Sequence, residues 1–152
     1  MSRMRDIELK AARALVHLNA LKSALQNFYN AQPLTLTTRR CPDIGRRVLR
    51  IEMNMPSEAI YLLAGDFVHN LRSSLDHVVY ALIVHSTKQF PNSSQVQWPA
   101  QKEQDVKAFE KQTKGVPFNA AKIIESLQPY NEGPGNAFKQ SSIWQLHKLD
   151  QT

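Results

Sequence analysis

All eight prolines fall outside two long segments of the chain, residues 5–31 and 57–84, and both segments space their apolar residues helically. A proline inside a helix removes a hydrogen bond and clashes with the preceding turn. Its absence leaves both segments free to be long helices. In the first, Ile7, Ala11, Ala14, Leu18, Leu21, Leu25 and Phe28 alternate steps of four and three, which places them on one helical stripe. Pro33 marks its end. About three heptads is short for a free coiled coil, so the stripe is expected to pair within the chain. The second segment opens with Pro56-Ser57-Glu58, a helix-start signal with an acidic first turn. Its stripe is Ile60, Leu63, Phe67, Leu71, Leu75, Val78 and Leu82, running to about Val84. Gly65 lies inside it at a cost of about 1 kcal/mol. Either close packing on the first helix or a kink beside the polar residues would account for it.

Between the two segments the period changes. Leu34 to Thr38 and Arg47 to Met53 are β-branched or alternating, and Pro42-Asp43-Ile44-Gly45 between them is a turn signal. These features predict a β-hairpin, and a lone hairpin is marginal, so it is expected to lie against the helices. Beyond Ser86 the pattern weakens. Residues 89–94 and 129–135 read as loops, while 104–111, 119–127 and 141–149 read as short helices. The expected fold is mainly α, a single domain over residues 1–152. It has a long antiparallel helix pair joined by a β-hairpin, with shorter C-terminal helices.

Charge is unevenly placed. Residues 1–50 hold ten Lys/Arg against three Asp/Glu, whereas the rest is nearly balanced. Arg39, Arg40, Arg46, Arg47 and Arg50 cluster in the hairpin, a pattern that suits phosphates of a nucleic acid or another anionic partner. A basic solvated surface is the plainer possibility. Cys41, the single cysteine, has no partner for an internal disulfide. Together with Met1-Ser2-Arg3-Met4-Arg5-Asp6, which is no apolar leader, it predicts a cytoplasmic protein with no membrane contact.

The second helix carries the main chemistry. At about 100° per residue, Asp66, His69, Asn70, Arg72, Ser73, Asp76, His77 and Tyr80 fall opposite the apolar stripe. Several are poor helix formers, so this face is expected to meet something specific. Arg72 and His77 project about 140° apart and flank it. Asp76, one turn after Arg72, is placed to orient the guanidinium, while Ser73 and Asn70 lie one and two turns before His77. A near-neutral histidine moves protons and an arginine clamps phosphate. One helix does not supply both sides of a scissile phosphate, so a second copy across a two-fold axis would be needed.

Arg72-Ser-Ser-Leu-Asp-His77 resembles the R-x4-6-H signature of the HEPN superfamily, helical domains that include metal-independent ribonucleases. The longer string from Gly65 to His77 is similar to a family of uncharacterised bacterial proteins with the same helix, extended segment and helix order. The resemblance covers about the first 90 residues well. It implies a homodimeric RNA-binding protein or endoribonuclease in which His77 is the general base on a ribose 2′-hydroxyl and Arg72 stabilises the transition state. Asp66, His69, Asn70, Ser73 and Asp76 would support them. Ser73 departs from the commoner pattern, which has an amide or acid after the arginine.

The polar face is equally compatible with an internal hydrogen-bond network, completed by Arg13 and His17 of the first helix and by the C-terminal segment. The chain is then a non-enzymatic, antitoxin-like or inhibitor-like protein that binds nucleic acid or a protein partner through its basic hairpin and helices. Asp66, His69 and His77 are also a conceivable cation set, but without H-E-x-x-H or paired cysteines no metal or cofactor is expected. His85 and His147 read as structural, and Trp98 and Trp144 as core or interface residues.

Overall fold

The computed structural model describes residues 3–42 and 45–151; Asp43 and Ile44 of the expected turn, with Met1, Ser2 and Thr152, lie outside the described residues. Helix α1 (Arg3–Asn30) and helix α2 (Glu58–Thr87) are antiparallel and packed on each other. Strands β1 (Leu34–Cys41) and β2 (Arg46–Met53) form the hairpin between them. Helices α3 (Val106–Gln112), α4 (Phe118–Ser126) and α5 (Ser142–Leu149) follow, with 3₁₀ turns at Ser93–Gln95, Pro129–Glu132 and Ala137–Gln140. Among the described residues no helix is long and apolar enough to cross a membrane.

The stripe on α1 is the one that turns inward. Every member except Ala11 is at least half-buried, and Ala14 is fully so. On α2 a second apolar stripe appears that periodicity alone does not reveal. Val79 and Ile83 are buried with Val96, Trp98, Phe109 and Ile124, forming a core between α2 and the C-terminal part of the chain. Helix α2 is therefore covered on two sides, by α1 and by residues that follow it. The Lys88 C-cap adopts left-handed backbone (φ 58°) and ends the helix one turn later than expected. Past α3 the chain returns close to α2. Gly115 (φ 88°) leaves no room for a side chain, since an added Cβ would sit 3.2 Å from both Ile83 and Thr87 Cγ2.

The hairpin corrects one expectation. It does not lie against the helices: both strands are exposed over nearly their whole length, with only Cys41 half-buried. A hydrogen bond from Asn54 N to Pro33 O (2.8 Å) closes its root. Both strands also run closer to the turn than expected, so Arg39, Arg40 and Arg46 are strand residues.

Gly65 neither relieves a close approach nor marks a kink. It is exposed inside an unbroken helix, and an added Cβ would meet nothing within 4 Å. Gly65→Ala is expected to stabilise the protein by about 0.5–1 kcal/mol through helix propensity alone. Urea unfolding measures this, and a loss of stability would show a packing role.

Candidate functional site

The constellation on α2 divides by direction. Arg72, Asp76, Val79 and Ile83 lie within about 60° of one another around the helix, whereas Asp66, Asn70, Ser73 and His77 lie within about 60° on a different side. The first set meets the chain that follows α2. The second meets the α1 side.

Arg72 is 5% exposed. Its Nη2 donates to the carbonyl oxygen of Trp98 (2.9 Å), and its Nη1 is 2.9 Å from Oδ1 of Asp76. The same Asp76 oxygen accepts the backbone N–H of Trp98 at 2.7 Å. The pair thus holds both backbone polar groups of Trp98, whose own residue is buried. Burial, more than any other influence, raises the Asp76 carboxyl above its ordinary value, against the opposing effects of the Trp98 N–H and Arg72. A raised folded pKa means that Asp76's share of stability is present below pH ~4 and lost as pH rises through the folded value. The ion pair therefore fixes where residue 98 docks more than it adds net stability.

The other members are scattered. Asn70 is buried and its Nδ2 donates to the Asp66 carbonyl (2.7 Å) within the helix. The exposed Asp66 side chain lies 3.9 Å from Nδ1 of His17 on α1. His69 is exposed, with Nδ1 3.2 Å from Oδ1 of Asp150 just past α5. His77 is half-buried and lines a polar cleft of about 580 Å³ with Asp6, Ser73, Asp76, Tyr80, Ser93 and Gln97, so Asp76 reaches both the cleft and Arg72. Lys10 and Arg13 of α1 line an adjoining recess that also reaches His77. Arg72 is not among the residues lining either space. The structure thus brings Arg72 together with Asp76 but turns it away from His77. Among the described residues no group of three His, Cys, Asp or Glu side chains is placed to hold a metal ion.

One feature escaped the sequence, and a second was read there only as structural. Gln128, 1% exposed, donates to the carbonyls of Pro99 (3.1 Å) and Ile124 (3.0 Å) and accepts from Gln101 N (3.1 Å). It repeats for residues 99–101 what Arg72 and Asp76 do for Trp98. Its only signal is a glutamine between Leu127 and Pro129. His147 is the second. Burial first, and then the Arg72 charge, hold its imidazole below the ordinary value.

The hairpin arginines form the other candidate. The register pairs Arg40 with Arg47, Cys41 with Arg46 and Thr37 with Arg50. Side chains alternate along a strand, so Arg39, Arg46 and Arg50 share one face and Arg40 and Arg47 the other. All five are exposed, and Arg50 Nε is 2.8 Å from Oε1 of Glu52. The hairpin leaves the end of the helix pair where α2 begins. His77 lies about 28 Å further along the helix axis at 1.5 Å per residue, so the two candidates are separate places. No family model, curated protein or solved structure matches this chain.

Proposed function

We propose that this chain is a nucleic-acid-binding protein that contacts the phosphate backbone through its hairpin and does not cleave it. The observation carrying this proposal is the hairpin itself: five arginines on an arm that stands clear of the helices. An arginine fork matches two phosphate oxygens at once, and an exposed cation pays little desolvation before it binds. Arg72 lacks both properties, since both of its terminal nitrogens are engaged by Trp98 and Asp76 and it is buried. A HEPN-like ribonuclease is the second reading, favoured by one feature: His77 faces a polar cleft next to Lys10 and Arg13.

Labelled duplex RNA and duplex DNA, incubated with the protein in EDTA, distinguish the two. The expected result is a retarded complex that weakens with salt, with the strands intact. Metal-independent cleavage that disappears in His77→Ala would establish the second reading instead.

A further inference from the structure

We infer that the apolar face of the hairpin is covered by the same face of a second copy of this chain. The inference is independent of what the arginines bind. Strand alternation and the observed register place Leu34, Leu36, Leu49, Ile51 and Met53 together, joined by Thr38 and ending in Arg40 and Arg47 at the tip. Each of the five apolar residues is 57–65% exposed, and Met55 just past the root is 68% exposed. The opposite face holds Thr35, Thr37, Arg39, Arg46, Arg50 and Glu52 with half-buried Cys41 and one exposed apolar residue, Val48, and is mainly polar. An amphipathic two-stranded sheet is marginal alone, and its exposed apolar side calls for a covering layer.

Three properties point to a second copy. The face is apolar except for Arg40 and Arg47 at its tip, so its apolar part complements itself, and two such faces stack as the inner layers of a small sandwich. The six apolar residues expose on the order of 600 Å² per copy, so a symmetric pair would bury about 1,200 Å², the lower bound for a specific interface. With the hairpins stacked head to tail, the Arg40 and Arg47 tip of each lies over the root of the other, so the four like charges stay apart. A bilayer fits less well. The tip that would enter it first carries Arg39, Arg40, Arg46 and Arg47, while the apolar residues sit at the root. Nucleic acid likewise offers phosphates for the arginines but no broad apolar surface for leucine, isoleucine and methionine. The resulting dimer presents two basic faces outward.

Sedimentation velocity without nucleic acid, from about 1 to 100 µM, tests the inference. The wild type is expected to be a dimer. Leu36→Glu/Ile51→Glu should weaken it at least ~100-fold, since each copy would bury two unpaired charges. Arg39→Ala/Arg46→Ala, on the opposite face, should leave it intact, which separates this inference from nucleic-acid binding. A second variant covers any local loss of the hairpin. In a Cys41→Ser background, Leu36→Cys protein mixed with Thr38→Cys protein should form the mixed intermolecular disulfide on mild oxidation, and Thr35→Cys should form none with either. A monomeric wild type throughout the range would overturn the inference. So would a dimer indifferent to the two glutamates, or a monomer that binds phosphatidylserine vesicles through this face.

Discussion

Arg72→Ala is expected to destabilise the protein by about 3 kcal/mol, lowering the melting temperature by roughly 10 °C at this chain length. The substitution removes the donor to the Trp98 carbonyl and strands the Asp76 carboxylate beside a backbone amide. Breaking one side of a buried pair costs about 3–5 kcal/mol because the other charge is left uncompensated. The Asp76 side chain keeps 30% exposure, which places the value at the lower end. Arg72→Met/Asp76→Leu leaves no charge stranded but deprives the Trp98 N–H and carbonyl of their partners, so it should recover little of the loss. A catalytic arginine waiting in solvent behaves differently: its removal leaves the melting temperature within about 1 °C. Differential scanning calorimetry of the three proteins decides between these roles.

The second large effect is on binding. Each phosphate neutralised contributes about 0.9 to the slope of log affinity against log salt on duplex DNA. Arg39 and Arg46 share the polar face of the hairpin, and both are exposed. Arg39→Ala/Arg46→Ala should therefore lower the slope by roughly two for each protomer engaged, with an affinity loss of about 10- to 100-fold at low salt. The fold should be untouched, because neither side chain is buried. An unchanged slope with weakened binding would mean that the hairpin supports the contact without touching phosphates.

The long elements were legible in the sequence because each has one dominant period. The four-three alternation in α1 and α2 and the change to alternation in the hairpin come directly from side-chain geometry. The second buried face of α2 was not legible, and the reason is physical. A helix covered from two sides loses the contrast between apolar and polar halves on which periodicity depends. Val68 and Val79 fall off the first stripe, and Arg72 and Asp76 interrupt the second with charge. Residue type marks Arg72 as polar but carries no information about its acceptor, a backbone carbonyl 26 residues away. The angle of about 140° between Arg72 and His77 follows from helix geometry, yet which side α1 occupies and which the C-terminal chain occupies is a tertiary fact. The hairpin shows the converse. Its strands and amphipathic faces follow from alternation, but the expectation that the helices cover its apolar side rested on stability alone. Nothing in a sequence distinguishes cover by the same chain from cover by another.

The hairpin, and not the polar face of α2, is the proposed contact surface. Fluorescence-anisotropy titrations of a labelled DNA duplex from about 50 to 200 mM salt test it, using wild type, Arg39→Ala/Arg46→Ala and His77→Ala. The expected result is a reduced salt slope and weaker binding only in the hairpin variant, with His77→Ala matching wild type. Binding lost in His77→Ala and unchanged in the hairpin variant would contradict it.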